Sequence, residues 1–167
     1  ARFTRDTGFT YPTEHPADVV LLHIGTNDSI QLPHARSWTK AINGIASDIG
    51  GILDEIHRFE KVSNSRITVI LARIINRADH TGPTTRLNKA IQAMADLRIA
   101  RGDRLLVAEF ETALSYPADT CITCSPPQPV PPNDPGHATM AGVGCAPLSR
   151  VVRDPLPPLP PGERRRG

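Results

Sequence analysis

The chain has 167 residues, 39% hydrophobic and 22% charged, the make-up of one soluble globular domain around a single core. A formal net charge of +2 gives no reason to expect a nucleic-acid partner, and no apolar run approaches the ~20 residues a membrane span needs. No charged-then-apolar signal segment opens the sequence, so a secreted origin requires a leader absent from this chain, and the compartment stays open.

Asp18 to Ile24 is a leucine and β-branched run short enough for a strand buried on both faces. Directly after it comes Gly25-Thr26-Asn27-Asp28, residue types that tolerate the backbone angles of a tight turn. Ile42, Ile45, Ile49, Ile52, Leu53, Ile56 and Phe59 then recur at three- and four-residue steps, predicting a helix from Trp38 to Glu60. Gly44, Gly50 and Gly51 each weaken that helix by about 1 kcal/mol relative to alanine. "ITVILARII", within Arg66 to Ile75, predicts a second strand. Pro83 suits a first helical turn, and Leu87, Ala90, Ile91, Met94 and Leu97 form the apolar face of the helix that follows. "RLLVAEF", between Asp103 and Phe110, predicts a third strand.

Proline separates the two parts of the chain. Thirteen of the 17 prolines fall between Pro117 and Pro161, and a segment such as "SPPQPVPPNDP" lacks the amide hydrogens a central strand or helix interior requires. Residues 117 to 136 therefore read as a Pro-rich loop, and residues 154 to 167, ending in Arg164-Arg165-Arg166, as a disordered, solvated tail. Cys121, Cys124 and Cys145 cannot all pair within the chain. Cys121 and Cys124 have the spacing of a metal knuckle, but no second pair accompanies them, and no metal or other cofactor is expected.

Strand, helix, strand, helix, strand with short connections implies a parallel sheet. The expected class is α/β, a flavodoxin-like three-layer fold with helices on both faces, in one domain over residues 1 to 153. Functional groups in such sheets collect where the strands end at their carboxyl edge. Gly25 to Asp28 lie at that edge. There a glycine permits close approach of backbone and ligand, and the Asn27 amide can donate to an oxyanion.

"VVLLHIGTND", residues 19 to 28, resembles the third conserved block of the SGNH (GDSL-like) hydrolases, a family of esterases and lipases. In that block a buried strand leads into Gly-x-Asn-Asp. "ITVILARIINR", "TTRLNKAIQAMAD" and "RLLVAEFETAL" are similar to the later strand, helix and strand of the family, so the likeness runs over residues 16 to 116. The resemblance implies ester hydrolysis through an acyl-enzyme by a Ser-His-Asp mechanism, with Asn27 and Gly25 in the oxyanion hole and no cofactor. It also implies a serine in a Gly-Asp-Ser type motif near the N-terminus. Residues 1 to 28 contain no serine, and Gly8 in "RDTGFTYP" is a weak match to the second block. The simplest reading is a chain that begins after the first block, leaving the sheet incomplete at one side.

The first serine is Ser29, directly after Asp28; it is either a substitute nucleophile or a hydroxyl bonded within the turn. For the other partners, "QPVPPNDPGHATMAGV" admits two registers. By motif, Asp134-Pro135-Gly136-His137 is the family's Asp-x-x-His, with Asp134 orienting and His137 acting as base in a loop. By context, Pro132-Asn133, Gly136-His137 and Met140-Ala141 match the family's continuation, which places Gln128 and Pro131 where Asp and His belong. Asp134 and His137 are the candidates because they alone could act as orienter and base. His23 reads as a packed core or sheet-edge residue of the first strand, and His15, His34, His57 and His80 as solvent-exposed. The breaks of pattern at Thr120 and in the tail also fit a coding sequence whose frame was lost and regained, which predicts that the native gene restores an Asp-x-x-His-Pro-Asn motif and an ordinary C-terminal helix.

Two functions are expected from this reading. One is an esterase or lipase taking a small-molecule, lipid or carbohydrate acyl ester, with no nucleic acid and no integral membrane segment involved. The other is a silent SGNH-like chain that keeps the cleft without the nucleophile. A flavodoxin-like nucleotide-binding domain is a distant third, since the glycines do not form Gly-x-Gly-x-x-Gly and no Walker lysine follows. Oligomeric state is open, although an uncovered sheet edge favours dimerisation.

Overall fold

A computed structural model describes residues 17 to 75, 81 to 115, 118 to 120 and 132 to 153. The elements are β1 (Val19–Leu22), α1 (Thr26–Gln31) with a 3-10 turn (Leu32–His34), α2 (Trp38–Ser63), β2 (Thr68–Ala72), α3 (Thr81–Ala100), β3 (Leu105–Ala108) and α4 (Asp134–Arg153). The three strands form one parallel sheet in the order β1-β2-β3, with Val20 beside Val69 and Val69 beside Leu105. Every residue of the central β2 is buried.

Strand alternation sends neighbouring side chains to opposite faces and builds two cores. Leu22, Val69, Leu71 and Leu105 meet Ile42, Ile49 and Leu53 of α2 and Leu87, Ile91 and Ala95 of α3. On the other face Ile70, Ala72, Ala108 and Phe110 are covered by Met140, Val143 and Leu148 of α4. The expected three-layer α/β architecture is thus present.

One strand departs from expectation. β1 was expected to be buried on both faces, but it pairs with β2 alone among the described residues, and Leu21 is 59% exposed. Burial of a strand's side chains depends on the layer packed on each face, and α4 leaves Leu21 largely uncovered; the unpaired edge of β1 agrees with a sheet incomplete at one side.

Helix α2 starts where expected, with the Ser37 hydroxyl accepting from the Lys40 amide, and runs on to Ser63 because Asn64 closes it in the left-handed region at φ 52°. Its interior glycines are tolerated because neighbouring α3 clasps it there. Arg98 donates to Asp54 at 2.6 Å and to the Gly50 carbonyl at 3.4 Å, while its Nε binds Asp103 at 2.6 Å.

The Pro-rich segment ends earlier than its composition suggests. Residues 134 to 136, expected as loop, are the first turn of α4. Asn133 caps that turn, its Oδ1 accepting from the Gly136 amide at 2.9 Å and its Nδ2 donating to the Ala118 carbonyl at 2.8 Å. Pro135 fits there because a first-turn amide has no intrahelical acceptor. Position 136 requires glycine, since a Cβ would collide with the Asp119 carbonyl. Helix α4 runs on to Arg153 with Pro147 inside it. Gly8, His15, His80, Cys121, Cys124, Gln128, Pro131 and the tail 154 to 167 lie outside the described residues.

Candidate functional site

β1 ends at Leu22, and His23, Ile24 and Gly25 carry the chain over the carboxyl edge of the sheet. The tetrapeptide expected as a tight turn is instead the start of a helix. Gly25 stands before it at φ 101°, and its carbonyl accepts from the Ser29 amide at 2.9 Å, closing the first turn of α1. Thr26, Asn27 and Asp28 form that turn. Gly25 is needed twice over: an L-residue is strained at this φ, and a Cβ would stand 3.0 Å from Ile74 Cδ1.

A cleft of about 390 Å³ opens at this end of β1. His23, Gly25, Asn27 and Asp28 line one wall; α2 supplies Asp48 and the apolar Ile45, Ile49 and Ile52 on the other. Asn27 and Asp28 are exposed to it. Such a space suits a small polar ligand with one short apolar group.

His23, expected as a packed core or sheet-edge residue of the first strand, stands at the sheet edge: the strand has ended one residue before it and the exposed side chain borders the cleft. Its ring stands edge-on to Phe110, with centroids 5.3 Å apart and planes at 83°. Partial burial there lowers its pKa below the ordinary 6.5. The period-two alternation of β1, which puts His23 on the side of Leu21, was the available signal.

The other candidates occupy different surroundings. Ser29 is buried at 1% exposure, and its hydroxyl donates to the Thr26 carbonyl at 2.6 Å, the bond within the turn that its position allowed. Asp134 and His137 are both exposed on the first turn of α4 rather than in a loop, the His137 amide donating to the Asn133 carbonyl. Among the described residues no hydrogen bond joins them, and neither lines the cleft. A further cluster went unseen in the sequence: Arg73, just past β2, forks between Glu109 and the buried Glu111 just past β3. It ties two strand ends together at the same edge of the sheet. Among the described residues no group of three His, Cys, Asp or Glu could hold a metal ion, and no helix is long and apolar enough to cross a membrane.

No family model matches the chain, and no curated protein matches its sequence. Solved structures do match its fold. An acetyl esterase, determined as a serine-to-alanine mutant with an acetate ion, superposes with a TM-score of 0.68 at 19% identity, covering 91% of this chain and 67% of that one. A carbohydrate esterase family 3 protein from Talaromyces cellulolyticus does so with a TM-score of 0.66 at 18% identity, over the same shares of the two chains. Carbohydrate esterase family 3 is a family of SGNH hydrolases, in agreement with the resemblance carried by "VVLLHIGTND". At this identity the likeness is one of architecture: the chain shares the α/β fold of these two esterases, over about two thirds of their length.

Proposed function

We propose that the protein is an ester hydrolase of SGNH type whose substrate is a short acyl ester, an acetylated carbohydrate being the class that the names of its structural neighbours suggest. The observation that carries this reading is the cleft at the carboxyl end of β1, where Gly25 and Asn27 stand together on an esterase fold. In the reaction, a nucleophilic hydroxyl attacks the ester carbonyl. The carbonyl oxygen then gathers negative charge, which the Gly25 backbone amide and the Asn27 side-chain amide are suited to receive. His137 is proposed as the base that takes the hydroxyl proton and returns it to the leaving alcohol, with Asp134 orienting it, a role that requires the start of α4 to approach the cleft that neither residue lines here. The pocket walls of Ile45, Ile49 and Ile52 suit a small acyl group.

A second reading is favoured by Ser29. To attack a substrate it would have to leave a buried position and surrender its 2.6 Å bond to Thr26, which is the behaviour of a structural hydroxyl. If no other serine serves, the chain is a silent relative that retains the cleft. Treatment with a fluorophosphonate followed by peptide mass spectrometry separates the two. A stoichiometric adduct on one serine is the expected result and names the nucleophile; folded protein without an adduct, and without acetyl ester hydrolysis, leaves only the silent reading. In an active protein, Asn27→Ala is expected to lower kcat by about 10²- to 10³-fold.

A further inference from the structure

The backbone that shapes the cleft is held from behind by a residue that no motif singled out. Asn88 of α3 is fully buried. A buried amide without partners is costly, so both of its groups must be satisfied. They are satisfied by a single residue: Asn88 Oδ1 accepts from the Ile74 amide and Asn88 Nδ2 donates to the Ile74 carbonyl, each at 2.8 Å. Asn88 thus binds Ile74 as a neighbouring strand would, two residues beyond the point where β2 has ended. Ile74 is itself fully buried, and its Cδ1 is the closest neighbour to the space above the Gly25 α-carbon, 3.0 Å from where a Cβ would stand. Ile49 and Ile45 of α2 lie farther off, at 3.7 and 3.8 Å. The Gly25 carbonyl then closes the first turn of α1, which carries Asn27. The contacts run without a gap from α3, through the end of β2, to the cleft wall.

We propose that Asn88 is a positioning residue for the cleft. Acting through Ile74, it fixes the left-handed backbone at Gly25 and with it the direction of the Gly25 amide and the Asn27 side chain. The inference rests on the reading of Gly25 and Asn27 as oxyanion donors and goes beyond it by naming what sets their geometry. Such donors act by being aimed in advance, and a misplacement of a fraction of an ångström weakens them.

Asn88→Ala leaves two buried backbone groups unpaired and risks unfolding, so the decisive variant is Ile74→Val. It removes the atom that meets Gly25 and retains both bonds to Asn88. On the full chain, the backbone amide of Gly25 and the side-chain amide of Asn27 are followed by NMR, with thermal unfolding and with kcat and KM on an aryl acetate, alongside Asn27→Ala. The expected result for Ile74→Val is a shifted or broadened pair of signals at Gly25 and Asn27, a kcat lower by about fivefold to tenfold and a KM within about twofold. Unchanged signals at both positions in folded Ile74→Val overturn the proposal, whether or not the protein hydrolyses the ester. Unchanged kcat in Ile74→Val beside an impaired Asn27→Ala overturns it too and leaves the oxyanion reading standing. An active Asn27→Ala with wild-type kcat overturns the oxyanion reading itself.

Discussion

The two faces of the sheet are built to different depths. Against α2 and α3 the strands bury a continuous core in which Leu71, Leu87, Ile91 and Ala95 reach zero exposure. Against α4 the same strands bury a smaller cluster of Ile70, Ala72, Ala108 and Phe110, capped by half-buried Met140, Val143 and Leu148. Leu21, on that second side, remains 59% exposed. The difference teaches how unevenly the helices are held: α2 and α3 rest on the larger core, which includes Ile74, whereas α4, which begins with the exposed Asp134 and His137, rests on the smaller one.

The largest effect that tests this contrast comes from emptying each face in turn. Leu71→Ala is expected to cost about 2 to 5 kcal/mol in chemical denaturation, because a central-strand side chain cannot be replaced by collapse. Leu148→Ala, half-buried on α4, is expected to cost about 1 kcal/mol. Equal losses would break the contrast between the faces.

Next in size is Gly25→Ala. The positive φ and the contact with Ile74 together are expected to cost about 1 to 3 kcal/mol and to disturb the cleft. Wild-type stability and an unaltered Gly25 region by NMR would show that the turn is slack rather than clamped. Smaller again is Ser37→Ala at the start of α2. With a cap bond of 3.4 Å, the loss is expected at about 0.5 kcal/mol by thermal or denaturant unfolding, and a loss as large as that of Leu71→Ala would place the determinant of α2 at its end rather than in its buried face.

The smallest effect is a pH dependence from His23. Partial desolvation lowers its folded pKa, so the unfolded chain takes up its proton first as pH falls. The contribution of neutral His23 is fully present above its ordinary 6.5 and is lost as pH falls through the folded value. Wild type minus His23→Gln, followed by unfolding from pH 8 down to 4, is expected to be flat above the ordinary value and to fall below it. A difference that rises on acidification would mean that the charged form is the one the fold favours.

Much of the fold was legible in sequence because it is written in local periodicity. The apolar stripe of α2 begins at Trp38 as expected, α3 takes Pro83 in its first turn, and β2 and β3 fall inside their apolar runs. The position of Gly25 and Asn27 just past the end of β1 was legible too, where a short apolar run meets glycine and a carboxamide. Less legible were the features made by residues distant in sequence. Arg73 meets Glu109 and Glu111 across 36 and 38 positions, and Asn88 meets Ile74 across 14, so neither pattern has a spacing that a linear reading recognises.

By itself, then, the sequence determined the alternation of strands and helices and the placing of Gly-Thr-Asn-Asp at a strand's end, since both follow from side-chain period and backbone tolerance. Tertiary structure alone decided that the tetrapeptide opens a helix, which of its two readings Ser29 takes, and that α4 begins at Asp134. Each of these depends on which groups remain unpaired until distant segments meet, and hydrogen-bond satisfaction in a packed interior is a property of the whole chain.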